Sequence, residues 1–158
     1  MGTSVEDSIR LQKFGLLSFV VQKLESGNVE LAQGALRAIE SLAVEAQKWL
    51  NALNLPELLP LSERLQEIEE LAKKWQEVLE DVWGNRGQLR EISKNLEEQK
   101  KVFSDFLKQI SEREFSPEEH RKAFVLKEKV NEIVTYLAIA KLWMDEIIKE
   151  IRAKKKRR

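Results

Sequence analysis

The chain contains no cysteine and a single histidine, His120. The first absence excludes disulfides, thiolate zinc sites, iron–sulfur clusters and a cysteine nucleophile. With one imidazole in 158 residues, a histidine-rich metal site and the paired histidines of a di-iron bundle are excluded as well. Long apolar runs are also missing. The densest, Phe14 to Val21, is too short to span a bilayer and is flanked by Arg10, Lys13, Gln22 and Lys23, so no transmembrane segment is expected. Acidic Glu6 and Asp7 ahead of that run do not fit a signal peptide. There is no glycine-rich phosphate loop, dinucleotide fingerprint, nucleophile elbow or metal-ligand spacing. These gaps predict a non-catalytic chain without metal or small-molecule cofactor, soluble and intracellular.

What is present is helical periodicity. From Ala123 to Ile151 the apolar residues fall at Ala123, Leu126, Val130, Ile133, Leu137, Ala140, Met144, Ile147 and Ile151, alternating steps of three and four. Phe124, Val134, Ile139, Trp143 and Ile148 widen this seam beyond a two-stranded stripe, which predicts several packing neighbours and makes the last helix the central staff. Ser116-Pro117-Glu118-Glu119 starts it, with serine as cap, proline at the first helical position and Glu119 as capping-box partner. The fold class expected is all-α, an antiparallel bundle of about five helices over 5–25, 29–53, 58–83, 88–113 and 117–153. Ser26-Gly27-Asn28 and Asn54-Leu55-Pro56 separate the first three. Gly84-Asn85-Arg86-Gly87 is expected to be a turn between the third and fourth, because a continuous rod would carry Arg86 and Ser93 into the core. One domain, 1–151, is followed by a basic tail, 152–158.

Net charge is zero, but unevenly spread. Arg152, Lys154, Lys155, Lys156, Arg157 and Arg158 carry six positive charges, so the rest sums to minus six and is a poor general binder of nucleic acid. The basic end has the form of a nuclear-localisation or acidic-lipid signal, and equally of a solvated tail facing a helix macrodipole. The third predicted helix has an acidic outer face, with eight Asp or Glu against three Lys or Arg between Glu57 and Trp83.

Partner-binding candidates follow from exposed bulk. Phe14, Leu17, Phe19 and Val21 belong to a first helix that is apolar around nearly its whole circumference, which is either core or an interface to a protein partner or second copy. Trp49 and Trp83 sit near helix ends, where an indole can bury its ring and keep its N–H wet.

Three resemblances complete the picture. Arg113 and His120, with six residues between them, resemble the Arg-x(4–6)-His motif of HEPN ribonucleases, although Glu114 departs from the residue common after that arginine. The resemblance implies a catalytic pair, His120 as acid or base and Arg113 against phosphate. Leu61 to Leu89 resembles the third helix of a spectrin repeat over under a fifth of the chain, and carries no function across. The uniform amphipathic pattern, the "SPEEH" cap and the scarcity of cysteine and histidine are similar to de novo designed bundles, which implies a scaffold without natural activity; they also suit a thermophile protein. The first expectation remains a structural or interaction module that presents helical faces to a partner.

Overall fold

The computed structural model describes residue 24 and residues 26–156. The helix expected over 5–25, and with it Phe14, Leu17, Phe19 and Val21, lies outside the described residues apart from Leu24. Among the described residues there are four long helices and no strand: α1 Asn28–Leu53, α2 Leu59–Val78, α3 Leu89–Glu112 and α4 Pro117–Lys156. The all-α antiparallel bundle is therefore as expected, with four of its helices among the described residues.

Each boundary has a local cause. Gly27 precedes α1 at φ 85, a left-handed conformation that a side chain would strain. Asn54 ends α1 at φ 53, and its N–H donates to the Leu50 carbonyl. At the start of α4 the capping box forms: Ser116 N–H donates to Glu119 Oε1 at 3.1 Å and Glu119 N–H donates to Ser116 Oγ at 3.3 Å.

The turn expected at 84–87 is present, but the preceding helix stops short of 83. Regular α-helix ends at Val78, and Leu79–Asp81 tightens to a 3₁₀ turn. Two side chains take over the backbone there. Asn85 Nδ2 donates to the Val78 carbonyl at 3.0 Å, and Asp81 Oδ1 accepts from Gly84 N–H at 3.0 Å. The Asp81 carboxylate occupies the space where a Cβ on residue 84 would stand, so a side chain there would push the carboxylate off its bond to the residue 84 N–H. The other end of the fold overruns: α4 continues to Lys156, three residues past the expected 153. Lysines in its last turn favour this by facing the helix macrodipole.

Packing follows the chain as α2–α1–α4–α3. The long α4 lies between α1 and α3, and α2 flanks α1 on the far side. All nine seam residues predicted on α4 are buried. Antiparallel register between α1 and α4 is fixed by Lys129 Nζ to Glu45 at 2.9 Å, and by Ser26 Oγ and Asn28 Nδ2 donating to Glu150 Oε1 at 2.6 and 3.3 Å. Lys129's hydrogen bond and charge hold the Glu45 carboxyl below its ordinary range. Between α1 and α2, Gln76 Nε2 donates to Glu40 Oε1 at 2.8 Å and Gln47 Nε2 to Glu69 Oε1 at 3.1 Å.

Two polar residues sit in the core of α3. The turn removes Arg86 from the interior as expected, but Ser93 remains buried, against expectation. Its hydroxyl donates to Asp145 Oδ1 at 2.5 Å, and Lys141 Nζ holds the other oxygen at 2.7 Å. That bond removes the cost that made Ser93 look misplaced. Gln99 fills the seam position between Leu96 and Phe103 and is 5% exposed. Phe106, one turn beyond Phe103, is only half-buried.

Candidate partner-binding surfaces

Arg113 and His120 do come together, lining one cleft of about 130 Å³ with Phe115 and Phe124 at the α3–α4 connection. Their states differ. Arg113 bonds to the Glu57 carboxylate through Nε at 3.2 Å and through Nη2, and donates to the Glu114 carbonyl at 3.0 Å. Its guanidinium also lies 4.6 Å over the Phe115 ring. The hydrogen bond from Arg113 holds the Glu57 carboxyl low. An arginine so occupied ties the segment before α2 to the one before α4, and its donors are not turned to a ligand. His120 is exposed on the first turn of α4.

Trp83 and Trp49 both pack their rings toward the core. Trp83 is 9% exposed and belongs to the core cluster, where the α2–α3 turn folds its ring inward. Trp49 is half-buried against the same core. Neither offers an open indole face. The acidic face of α2 is as expected: Glu63, Glu67, Glu70, Glu77 and Glu80 are exposed, while Glu69 is drawn into bonds with Gln47 and Lys73.

One surface escaped the sequence reading. Leu31 on α1 is 48% exposed and Leu142 on α4 is 54% exposed. The register set by Glu45 with Lys129, and by the Ala52 carbonyl with Lys122, brings Leu31 level with Trp143 and Ala38 level with Tyr136. Ile139, Trp143 and Tyr136 are half-buried alongside. The outer side of the α1–α4 seam thus carries an apolar strip, Leu31, Tyr136, Ile139, Leu142 and Trp143, open to solvent. Ile139 and Trp143 widen the α4 seam in the sequence and could have signalled it; Leu31, which belongs to no seam, could not.

Within the described residues, no helix is long and apolar enough to cross a membrane. No group of three or more His, Asp or Glu is placed to hold a metal ion. Comparison with protein families, curated proteins and solved structures gives no match.

Proposed function

We propose that the chain is a non-catalytic interaction module that presents helical faces to a protein partner, with the outer α1–α4 seam as its docking strip. The observation that carries this is the pair Leu31 and Leu142, each about half exposed beside half-buried Ile139 and Trp143. An apolar strip of this kind marks an interface more often than scattered single residues do. A second copy is the first occupant to test, because an uncharged strip can meet itself across a two-fold axis without repulsion. Solution mass by light scattering over a wide concentration range, on the full chain and on Leu142→Glu, decides it. The expected result is a concentration-dependent dimer that the glutamate abolishes while helical content and melting temperature hold. A wild type that stays monomeric, with a variant that melts several degrees lower, would assign the strip to the protein's own packing and remove the reading.

A ribonuclease reading has one observation in its favour, the shared cleft of Arg113 and His120. Arg113's commitment to Glu57 weighs against it. An RNA-cleavage assay separates the two: no cleavage by the wild type is expected, and cleavage lost in His120→Ala would reverse the assignment.

A further inference from the structure

At the opposite end of the bundle the start of α3 and the end of α4 form an open groove of about 330 Å³. One wall carries Arg86 and Arg90, the other Arg152 and Lys155, and Leu89 and Ile148 lie between them. Within each wall the two cations are about one helical turn apart, roughly 5–6 Å between Cβ atoms. No carboxylate lines the groove. What sets it apart is that four cations converge on one cleft. Elsewhere Arg64, Lys73, Lys100, Arg113, Lys129, Lys141 and Lys149 each have a carboxylate within ion-pair distance, while Lys74, Lys94, Lys101 and Lys108 have none among the described residues. None of the four groove cations has such a partner among the described residues. Arg86 is also held in place, one nitrogen donating to the Trp83 carbonyl and the guanidinium 6.0 Å over the Trp83 ring. Lys154 and Lys156 extend the positive field beyond the groove.

We infer that this groove binds an acidic polypeptide segment carrying an aliphatic anchor, its carboxylates clamped between the two walls and its apolar side chain on Leu89 and Ile148. Charge complementarity selects the class: guanidinium forks match carboxylates in a bidentate way, and two facing pairs one turn apart fit acidic residues repeated at that spacing. The apolar floor then distinguishes such a segment from a ligand bound by charge alone. No aromatic side chain lines the groove to stack a base, which disfavours single-stranded nucleic acid. The inference rests on the interaction-module reading but on a different surface, so Leu142→Glu leaves it untouched and the two can fail separately.

Fluorescence anisotropy with a labelled peptide of repeating Glu-Glu-Leu tests it on the full chain, beside a twin peptide with serine for leucine. Arg90→Glu, Arg152→Glu and Lys156→Glu each change the net charge equally, but only the first two residues line the groove. All three are exposed, and circular dichroism confirms folding. The groove predicts about tenfold weaker binding for Arg90→Glu and for Arg152→Glu, the loss of one charge-assisted contact, and little change for Lys156→Glu. It also predicts clearly weaker binding of the serine peptide. Equal losses for all three variants, or equal affinity for both peptides, would reduce the groove to diffuse attraction by a basic tail. An RNA oligonucleotide or phosphatidylserine vesicles bound more tightly than the peptide, with the same sensitivity to Arg90→Glu, would overturn the assignment of the partner.

Discussion

The bundle has a tight half and a wide half, and their composition explains the difference. Where α1 meets α4, the buried residues of α1 include Ala32, Ala35, Ala43 and Ala46, and α4 answers with Ala123 and Ala140. Small side chains let the two backbones close on one another, so contact runs along the whole seam. Where α2 faces α3, the buried residues are Leu61, Leu65, Ile68 and Trp75 on one side and Leu96 and Phe103 on the other. Those two backbones scarcely approach. Away from the turn that joins them a cleft of about 420 Å³ opens, lined by Pro60, Arg64, Val102 and Phe106 among others. Of the two buried polar side chains among the described residues, Ser93 is matched by Asp145 of α4, while Gln99 sits in the α3 seam between Leu96 and Phe103. Close packing leaves no choice of residue, whereas loose packing admits bulk, clefts and polar guests.

That contrast is most directly broken by enlarging one side chain in each half. Ala43→Leu places three extra carbons in a fully buried position of the tight seam. It should cost about 1–3 kcal/mol by overpacking, a fall of several degrees in thermal melting. Val102→Leu adds a methylene toward the cleft and should change stability by less than about 0.5 kcal/mol. If both substitutions cost the same, the halves do not differ in packing and the alanines are incidental.

The next test concerns the polar contact between α3 and α4. Burial pulls the Asp145 carboxyl up, but hydrogen bonds from Lys141 and Ser93 and the charges of Lys141 and Lys149 together outweigh it and leave it below its ordinary value. A carboxyl depressed by folding stabilises the native state fully above its unfolded pKa, and loses that contribution as pH falls through the folded value. Asp145→Ala should therefore lower stability by about 1 kcal/mol at neutral pH, where it strands the buried Ser93 hydroxyl. The gap from wild type should narrow as pH drops below the unperturbed aspartate value of 3.8. Thermal melts of both proteins at several pH values check the sign. A gap that widens in acid would mean that Asp145 is protonated in the fold.

How far these features are legible in the sequence depends on the range of the force that sets them. Helix α4 is fully legible, because its nine buried positions follow a period that only one side of a helix can satisfy. The cap at Ser116 and the turn at 84–87 are legible for the same reason, each being settled within a few residues. Ser93 is not, since its acceptor stands 52 residues away on another helix. The state of Arg113 is illegible for a parallel reason: the sequence sets it near His120, but its bond to Glu57 reaches 56 residues back along the chain. For Trp83 the sequence leaves open whether the ring packs on the core or on a partner, and the turn settles it inward. Local rules write the elements; pairings between elements decide which polar groups are spent on structure.

Gln99 sharpens the comparison last, with the smallest expected effect. It occupies a seam position that the pattern of α3 would give to an apolar residue, and its Nε2 donates to Asn95 Oδ1 at 3.2 Å. Its Oε1 is buried with no hydrogen-bond partner among the described residues. A buried acceptor left unmatched costs more than its absence, so Gln99→Leu, close in volume, should stabilise the fold by about 1 kcal/mol and raise the melting temperature by a few degrees. The same change in a tight seam would overpack or leave a void; on α3 the looser packing accommodates the branch. A polar seam residue can also fix register between helices, which Leu would give up. Sharp, fully dispersed amide resonances in the leucine variant would show that register survives without it, and broadened ones that Gln99 is kept for specificity. A variant that melts lower than wild type would mean that Oε1 finds a donor in solution, and that the wide half is as fully matched as the tight one.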